Sequence, residues 1–311
     1  MKATLSWCIF YMILVLPGCK TRHALTIQQV NKKEFPDEMV SFAPYKANPV
    51  FKGTDAETWD RTIRERGYIL YENGTYKLWY TGYKKEDNDP KSLGYATSDD
   101  GINWKRYPGN PIFSEKWTED MFVLKYQNKY YMYAEGKNDI AHLLTSDNGI
   151  NWQEQGDLII RKVNGDTIPG PYGTPNVLIE NGQWYLFYER SDEGIWLAKS
   201  DDHRSWINIQ DEPVLNRGPE KYDFKMLAAN QVVKYKDMYY MYYHGLSEGD
   251  QSDSAIIWTS NVARSADLIH WIKYPRNPIV PGDHSSPIMV FDGVKYRLYT
   301  MHPSVWLYYS K

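Results

Sequence analysis

Several acidic residues of this chain stand beside short runs of alternating apolar residues, and arginines flank one of them. They are Glu65 between Arg64 and Arg66, Glu119 with Asp120, Glu135, and Glu189. Carboxyl groups on separate segments could divide acid–base catalysis, one donating a proton while another activates water or attacks carbon. The same residue types also form structural ion pairs, cap turns and end strands at polar surfaces. The elements that position them decide between these readings.

Those elements form an internal repeat. A short apolar run, a turn and a second run dense in aromatic residues recur at 68–81, 122–135, 176–189, 231–244 and 288–300. The turn centres Glu-Asn-Gly and Asp-Gly are typical of β-hairpins. Each segment therefore predicts two antiparallel strands, called strands A and B below.

A third run and a polar turn follow in four of the repeats, at 93–104, 141–152, 195–206 and 261–271. The pattern is a strand, Ser-x-Asp or Ser-x-Asn, and then a Trp. Ser and Asp suit such a turn because their side chains bond nearby backbone N–H groups. It resembles the Asp-box hairpin of sialidases, one residue shorter, and predicts strand C with a structural rather than catalytic aspartate.

A fourth run, strand D, is predicted at 110–113, 157–160, 212–215 and 277–280. Four antiparallel strands in each repeat are typical of a propeller blade. The fifth repeat ends with a C strand at 305–311 and lacks a D strand after it. Residues 48–51, Asn-Pro-Val-Phe, match the D pattern and predict that the amino-terminal part supplies it. The predicted fold is an all-β, five-bladed β-propeller whose last blade is closed by an N-terminal strand.

Strands A line the axis of a propeller, so their starts and the ends of strands B meet on one face. At the starts of A the repeats place Glu65 and Arg66, Glu119 and Asp120, Gly173 and Thr174, Ala228 and Ala229, and the region of His284 to Ser286. At the ends of B they place Thr81, Glu135, Glu189, His244 and Met301, with His302 beside it. These residues differ from blade to blade, which favours a functional face.

Residues 117–136, the aromatic B strands and the hairpin at 95–104 resemble the five-bladed propeller glycosidases, which include glycoside hydrolase families 32, 43, 117 and 130. The resemblance covers nearly all of 45–311. It implies a general base or nucleophile at the start of the first inner strand. It also implies an Asp in blade two that stabilises the transition state or tunes a pKa, and a Glu, often from blade three, as general acid.

Three catalytic residues are carried over onto this chain. Asp120 matches the Asp of the Glu/Arg-Asp-Pro segment that several of these families have in blade two, although Met121 replaces the usual Pro. Glu65 is the nearest acid in blade one, where most relatives have Asp. Blade three lacks an acid at the start of strand A, so Glu189 is the predicted general acid and Glu135 the second choice. His244 or His302 could donate the proton instead.

The remaining residues of the predicted face are assigned to substrate binding: Arg64, Arg66, Glu119, Glu135, Tyr172, His244 and His302. The predicted function is an exo-acting, inverting glycoside hydrolase for plant or algal oligosaccharides. One alternative is a glycoside phosphorylase in which Arg64, Arg66 and His244 bind phosphate. The other is a carbohydrate-binding lipoprotein that has lost catalysis. No metal site and no cofactor are predicted.

The amino-terminal residues predict export. An apolar run follows Lys2, and Leu16-Pro17-Gly18-Cys19 resembles a bacterial lipobox. We therefore expect a signal peptide at 1–18, lipidation of Cys19, a tether at 19–44 and the propeller at 45–311, although an ordinary secretion signal is the alternative. The protein is predicted to sit at the bacterial cell envelope and to contact the membrane through its lipid only. A net charge of −3 with mixed signs does not favour a nucleic-acid partner.

Overall fold

The computed structural model describes residues 34–84, 90–248 and 256–311. The predicted signal peptide, Cys19 and residues 20–33 of the tether lie outside these ranges. Within them, one short α-helix and one 3-10 helix accompany the strands: α1 (Asp37–Val40) and the turn Lys221–Asp223. No helix in the described ranges has the length and apolar character needed to span a membrane.

The strands, in chain order, are β1 (Phe42–Pro44), β2 (Thr62–Ile63), β3 (Tyr68–Glu72), β4 (Thr75–Tyr83), β5 (Ser92–Ser98), β6 (Lys105–Arg106), β7 (Glu119–Tyr126), β8 (Lys129–Gly136), β9 (Ile140–Ser146), β10 (Gln153–Asp157), β11 (Ile159–Arg161), β12 (Gly173–Glu180), β13 (Gln183–Arg190), β14 (Gly194–Ser200), β15 (Ser205–Asn208), β16 (Leu215–Asn216), β17 (Met226–Tyr235), β18 (Met238–Leu246), β19 (Trp258–Ser265), β20 (Ile272–Lys273), β21 (Ile288–Phe291), β22 (Tyr296–Met301) and β23 (Val305–Ser310). They form five small sheets, and the prediction of a five-bladed propeller is confirmed.

Each blade follows the predicted order A, B, C, D from the axis outwards. The blades are β3-β4-β5-β6, β7-β8-β9-β10, β12-β13-β14-β15, β17-β18-β19-β20 and β21-β22-β23-β1, numbered one to five below. Two short strands extend this plan, since β2 pairs with β4 and β16 with β14. A third, β11, runs parallel to β15 at the edge of blade three.

In blades one, four and five the D position is built in two pieces, a short strand and then the predicted Asn-Pro run. In this run the Asn side chain pairs with strand C like a backbone amide, because its oxygen accepts a backbone N–H and its nitrogen donates to the carbonyl of the same residue. This pair of bonds, 2.8–3.0 Å long, joins Asn48 to Leu307, Asn110 to Tyr95 and Asn277 to Val262. The recurring Asn-Pro sequence therefore marks the point where the interrupted D strand reattaches to its blade.

The ring closes through blade five, as predicted. The strand that closes it is β1, which is antiparallel to β23 with Phe42 opposite Ser310. The predicted residues 48–51 form the second piece: Val50 N–H donates to Val305 O at 2.8 Å and Val305 N–H donates to Phe51 O at 2.7 Å. The closing segment thus begins earlier than the predicted residues 48–51. Its first piece, β1, shares no pattern with the other blades, so the repeats do not indicate it.

Residues 34–44 of the predicted tether pack against the propeller. Phe35 and Met39 are buried against the aromatic residues of blade four. Tyr240 Oη donates to Glu34 O at 2.9 Å, and Tyr242 Oη donates to Met39 O at 2.8 Å. The tether boundary at residue 44 is therefore wrong, and the folded part includes residue 34. The few apolar residues of 34–44 have no regular period, which is typical of a linker.

The Ser-x-Asp turns have the predicted structural role. Ser98 Oγ accepts the N–H of Gly101 at 2.9 Å, and Asp100 Oδ1 accepts those of Ile102 and Asn103 at 2.8 Å. Equivalent bonds occur at Ser146 with Asn148, Ser200 with Asp202, and Ser265 with Asp267. The three Asp side chains and Asn148 hold outer turns, so these three acids are not available for catalysis.

Packing between blades takes up much of the aromatic content. Trp79 is fully buried, donates its indole N–H to Gly149 O at 2.8 Å and meets Trp152 edge to face. Tyr133, Tyr188 and Tyr242 are also fully buried. An aromatic side chain removes roughly 150–250 Å² from water, which explains the richness in Tyr and Trp through blade packing more directly than through sugar binding.

Candidate active site

The starts of the A strands have an unusual backbone. Arg66, Asp120, Thr174 and Ser286 occupy the same place in four blades and have φ values of 54°, 51°, 45° and 59°. In blades two and three the ladder shifts register there. Such a conformation costs a non-glycine residue about 1–2 kcal/mol, and strained residues of this kind cluster at functional sites. This bulge re-aims side chains at the axis.

Arg66 occupies the axis and joins four blades. Its guanidinium lies 3.2 Å from Asp120 Oδ2 and donates to Thr174 Oγ1. Its Nη2 lies 3.0 Å from Nε2 of His244. Burial would lower the pKa of Arg66, but Asp120 and the other carboxyl groups outweigh burial and raise it. The arginine therefore stays charged and fixes the positions of the surrounding groups.

His244 is held as a neutral acceptor. Its Nδ1 lies 3.1 Å from Oδ1 of Asn230, an oxygen that can only accept, so Nδ1 carries the proton. Nε2 then accepts from Arg66. Burial first, and then the charge of Arg66, lower the pKa of His244 well below its usual value. This arrangement supports Arg66 and does not favour His244 as the proton donor.

Glu65 is held in the ionised form by His302. Oε2 of Glu65 lies 3.0 Å from Nδ1 of His302. Burial alone would raise the pKa of Glu65, but the hydrogen bond from His302 and the charge of Arg66 outweigh it and lower that pKa to about 2. The same hydrogen bond raises the pKa of His302 against the effect of burial. An ionised carboxylate here has the charge that a general base needs.

Glu135 and Glu189 converge on Gly173. The N–H of Gly173 donates to Glu189 Oε1 at 3.1 Å, and the N–H of Thr174 donates to Glu135 Oε2 at 2.9 Å. A Cβ at position 173 would overlap Oε2 of Glu135 and lie 2.6 Å from Oε1 of Glu189. Blade three thus lacks an acid at this place because its glycine makes room for two carboxyl groups from the ends of neighbouring B strands.

Both of these carboxyl groups have a raised pKa and keep a proton at higher pH than an ordinary Glu side chain does. Burial, opposed by the N–H of Asp192, raises the pKa of Glu189 to about 7. Burial and the charge of Asp120 raise the pKa of Glu135 well above its usual value. Near neutral pH Glu135 in blade two and part of the Glu189 population in blade three therefore carry a proton, whereas Glu65 in blade one is ionised.

Arg64, Glu119 and Asp120 form a charged cluster beside Arg66. Arg64 pairs with Glu119, whose Oε1 accepts the indole N–H of Trp117 at 2.7 Å. Burial and the charges of Glu119 and Glu65 raise the pKa of Asp120 to about 8, in spite of Arg66.

Tyr172 directly precedes Gly173, but its side chain is buried in the hydrophobic core. Its buried hydroxyl donates to Leu158 O at 2.9 Å and its ring is buried, so it supports the loop between blades. This buried position does not favour the predicted substrate contact at Tyr172.

Two residues of the face were missed by sequence reasoning. Asn230 orients His244, and Trp258 places its ring 5.5 Å from that of His244 and 5.9 Å from that of His302. The alignment of repeats covered the starts of A and the ends of B, whereas Trp258 begins strand C of blade four. The described residues contain no group of three or more His, Cys, Asp or Glu side chains arranged to hold a metal ion.

Comparison with known protein families agrees with this architecture. Residues 57–169, which include blades one and two, match the model of the glycosyl hydrolases family 32 N-terminal domain. A 1,2-beta-oligomannan phosphorylase of Thermoanaerobacter sp. is 26% identical over 230 residues, covering 68% of this chain and 74% of that protein. A beta-1,2-mannobiose phosphorylase of the same organism is 27% identical over 175 residues, covering 48% and 54%.

Solved structures share the fold. A putative glycoside hydrolase of Bacteroides ovatus has a TM-score of 0.70 at 18% identity, covering 87% of this chain and 96% of that one. A structure from a study of the GH130 family has a TM-score of 0.66 at 17% identity, covering 87% and 94%. That study describes mannoside phosphorylases and glycoside hydrolases that target β-1,2 mannosidic linkages in Candida mannan. The resemblance to propeller glycosidases is confirmed, and an enzyme of the propeller glycosidase and phosphorylase kind is supported.

Proposed function

We propose that this protein is an exo-acting, inverting hydrolase of β-mannosidic bonds. The observation that carries the proposal is the division of the axial carboxyl groups: the pKa of Glu65 is lowered, so this group is ionised near neutral pH, whereas the pKa values of Glu189 and Glu135 are raised, so these groups can carry a proton there. Cleavage of a glycosidic bond needs one carboxyl group in each state. The mannoside class comes from the similarity to β-1,2-mannoside phosphorylases and to the GH130 family.

In the proposed mechanism Glu189 donates its proton to the oxygen of the leaving sugar, because its pKa near 7 suits a proton donor that must be reloaded at each turnover. Glu65 accepts a proton from the attacking water on the opposite side of the sugar ring. Glu135 lies beside Glu189 at the Gly173–Thr174 backbone, and burial and the charge of Asp120 raise its own pKa. Arg66 fixes Asp120 at the axis, where the carboxyl group in its ionised form stabilises positive charge that develops on the sugar.

Water is the proposed nucleophile because the site is poorly suited to a phosphate anion. Burial and the charge of Asp120 raise the pKa of Glu135, which indicates surroundings that disfavour further negative charge. Arg66 is paired with Asp120, and Arg64 with Glu119, so each guanidinium already has a carboxyl partner.

A glycoside phosphorylase is the second candidate, and the phosphorylases among the relatives favour it. In that case phosphate must displace the carboxyl partners of Arg64 or Arg66. Cleavage would then require added phosphate and would yield a sugar phosphate in place of free mannose.

The experiment is a time course on β-1,2-mannotetraose, with and without phosphate. The proposal expects mannose and mannotriose as the first products, at rates independent of phosphate. Cleavage that needs phosphate supports the second candidate, and mannobiose as the main first product contradicts exo-action. Tight binding without any product would contradict an enzyme and favour a carbohydrate-binding protein.

The proposed location is the cell envelope, with Cys19 lipidated after removal of residues 1–18. Incorporation of labelled palmitate tests this directly. Wild type and Cys8→Ala should be labelled, since residue 8 lies in the segment removed, whereas Cys19→Ala should not be. Equal labelling of Cys19→Ala contradicts the proposal.

A further inference from the structure

Trp258 lies at the edge of the site, beside the rings of His244 and His302. It begins β19 and is paired with Leu246, the last residue of β18. His244 stands two residues earlier in β18, opposite Ser260. Side chains at i and i+2 of a strand share one face of the sheet, so Trp258 extends the row of His244 outward towards solvent.

The ring of Trp258 spans the junction between blades four and five. It lies 5.5 Å from the ring of His244 in blade four and 5.9 Å from that of His302 in blade five. His302 in turn bonds Glu65 at 3.0 Å. The indole is therefore one imidazole away from the carboxylate proposed to activate water.

The backbone of Trp258 is fixed on both sides. Its N–H donates to Asp283 Oδ1 at 2.7 Å, and its carbonyl accepts the N–H of His284 at 3.2 Å. The side chain stays partly exposed, unlike Trp79 and Trp206, which are fully buried between blades. A flat apolar surface is thus held in a defined position beside polar, charged groups.

This combination suits a pyranose ring. A sugar has a face of C–H groups that packs on an aromatic ring, and hydroxyl groups at its edge that bond polar side chains. Binding sites for small molecules commonly join aromatic walls to a few fixed polar groups. Trp117 is less suited, because Nζ of Lys91 already lies over its ring, 5.1 Å from the ring centroid.

We propose that Trp258 is a stacking platform for the sugar unit that is cleaved, and that it sets the orientation of this unit against Glu65. The inference rests on the proposed function for the identity of the site, and it assigns a binding role to a residue outside the aligned axial positions. Its chemical partner is the C–H face of a neutral pyranose.

A structural role makes a different forecast. If Trp258 only separates the two imidazoles, then removing it would shift His302 and change the pH dependence of turnover, with little effect on sugar affinity. A platform mainly affects affinity, so KM and the dissociation constant should change more than kcat.

The test measures oligosaccharide binding by saturation-transfer NMR and turnover in parallel, on β-1,2-mannotriose and on arabinosides, galactosides and fructosides. The variants are Trp258→Ala, Trp258→Phe and, as matched control, Trp271→Ala. Trp271 is another partly exposed indole of blade four, but it lies on the outer Ser-x-Asp turn and packs on Phe187. Thermal unfolding of each variant confirms that it folds.

For any sugar that wild type binds, Trp258→Ala should lose roughly tenfold in affinity, equivalent to about 1.4 kcal/mol. Trp258→Phe should recover most of it, and Trp271→Ala should bind as wild type does. Unchanged affinity in Trp258→Ala, or no binding to wild type by any sugar tested, overturns the platform. Binding of a sugar that is not cleaved, with the loss still seen in Trp258→Ala, contradicts the proposed reaction while upholding the platform.

Discussion

Nδ1 of His302 lies 3.0 Å from Oε2 of Glu65, and this contact joins blade five to blade one across the junction where the ring closes. Blade five is completed by β1 from the amino-terminal part of the chain. Closure of the ring therefore also positions Glu65, the carboxylate proposed as general base.

Replacing His302 by Gln should move the acidic limb of the pH profile upwards. The hydrogen bond and charge of His302 lower the pKa of Glu65 to about 2. Without them that pKa should rise towards the ordinary value of roughly 4.3, so activity is lost at a higher pH on acidification. The measurement is kcat/KM against pH. His270→Gln, which removes an exposed imidazole paired with Asp267, should leave the profile unchanged. An acidic limb that stays in place in His302→Gln contradicts the role of this contact.

Replacing Glu189 by Gln should remove proton donation to the leaving group. Loss of a general acid costs typically 10²–10⁴-fold, and the loss should be much smaller for a dinitrophenyl glycoside, whose leaving group needs no proton. Glu180→Gln, at an ion pair with Lys234 near the end of the same blade's A strand, is the control.

Glu135→Gln distinguishes the two carboxyl groups that meet at Gly173. If Glu189 is the donor, Glu135→Gln should lower the rate of cleavage of the oligosaccharide and of the dinitrophenyl glycoside by a similar factor. The assignment of Glu189 is wrong if the rate on the dinitrophenyl glycoside is retained in Glu135→Gln and lost in Glu189→Gln.

Replacing Gly173 by Ala should inactivate the enzyme without unfolding it. The added Cβ would meet carboxyl oxygens of both Glu135 and Glu189. Both groups must then move away from the backbone N–H donors, and we expect a loss of at least roughly 100-fold in kcat, since small misplacements of catalytic groups have effects of this size. Gly109→Ala, where the Cβ would meet the exposed ring of Tyr107, should retain activity. Activity of Gly173→Ala within a few fold of wild type contradicts the arrangement.

Replacing Asn48 by Ala should weaken ring closure. The side chain makes two hydrogen bonds to the backbone of Leu307, and each is worth about 0.5–1.5 kcal/mol. Asn110→Ala removes the same pair of bonds within blade one. Both variants should lower Tm by a similar amount, but only Asn48→Ala should speed proteolysis between residues 34 and 51. Equal proteolysis of the two variants contradicts a specific role of this segment in closure.

The repeats carried most of the fold information. Five hairpins with the same aromatic pattern identified the blades, and the Asn-Pro run identified the closing segment. The first piece of that segment, β1, and helix α1 share no pattern with other blades. Their positions follow from contacts with β23, Tyr240 and Tyr242, which are distant in the chain.

The axial acids could be predicted as a set, because their positions depend only on the alignment of repeats. Their partners could not. The pairing of Glu65 with His302, and the meeting of Glu135 and Glu189 at Gly173, are contacts between blades or around a backbone bulge. These contacts depend on side-chain geometry, which the alternation of apolar and polar residues along the strands does not specify.

The most direct test of the proposed function is proton NMR of β-1,2-mannobiose cleavage, begun in phosphate-free buffer and repeated with added phosphate. The account predicts that free α-mannose appears first from the cleaved unit, that it then equilibrates with the β-anomer, and that phosphate changes neither rate nor product. Cleavage only with phosphate, with mannose 1-phosphate as product, would contradict hydrolysis at this site, and initial release of β-mannose would contradict inversion.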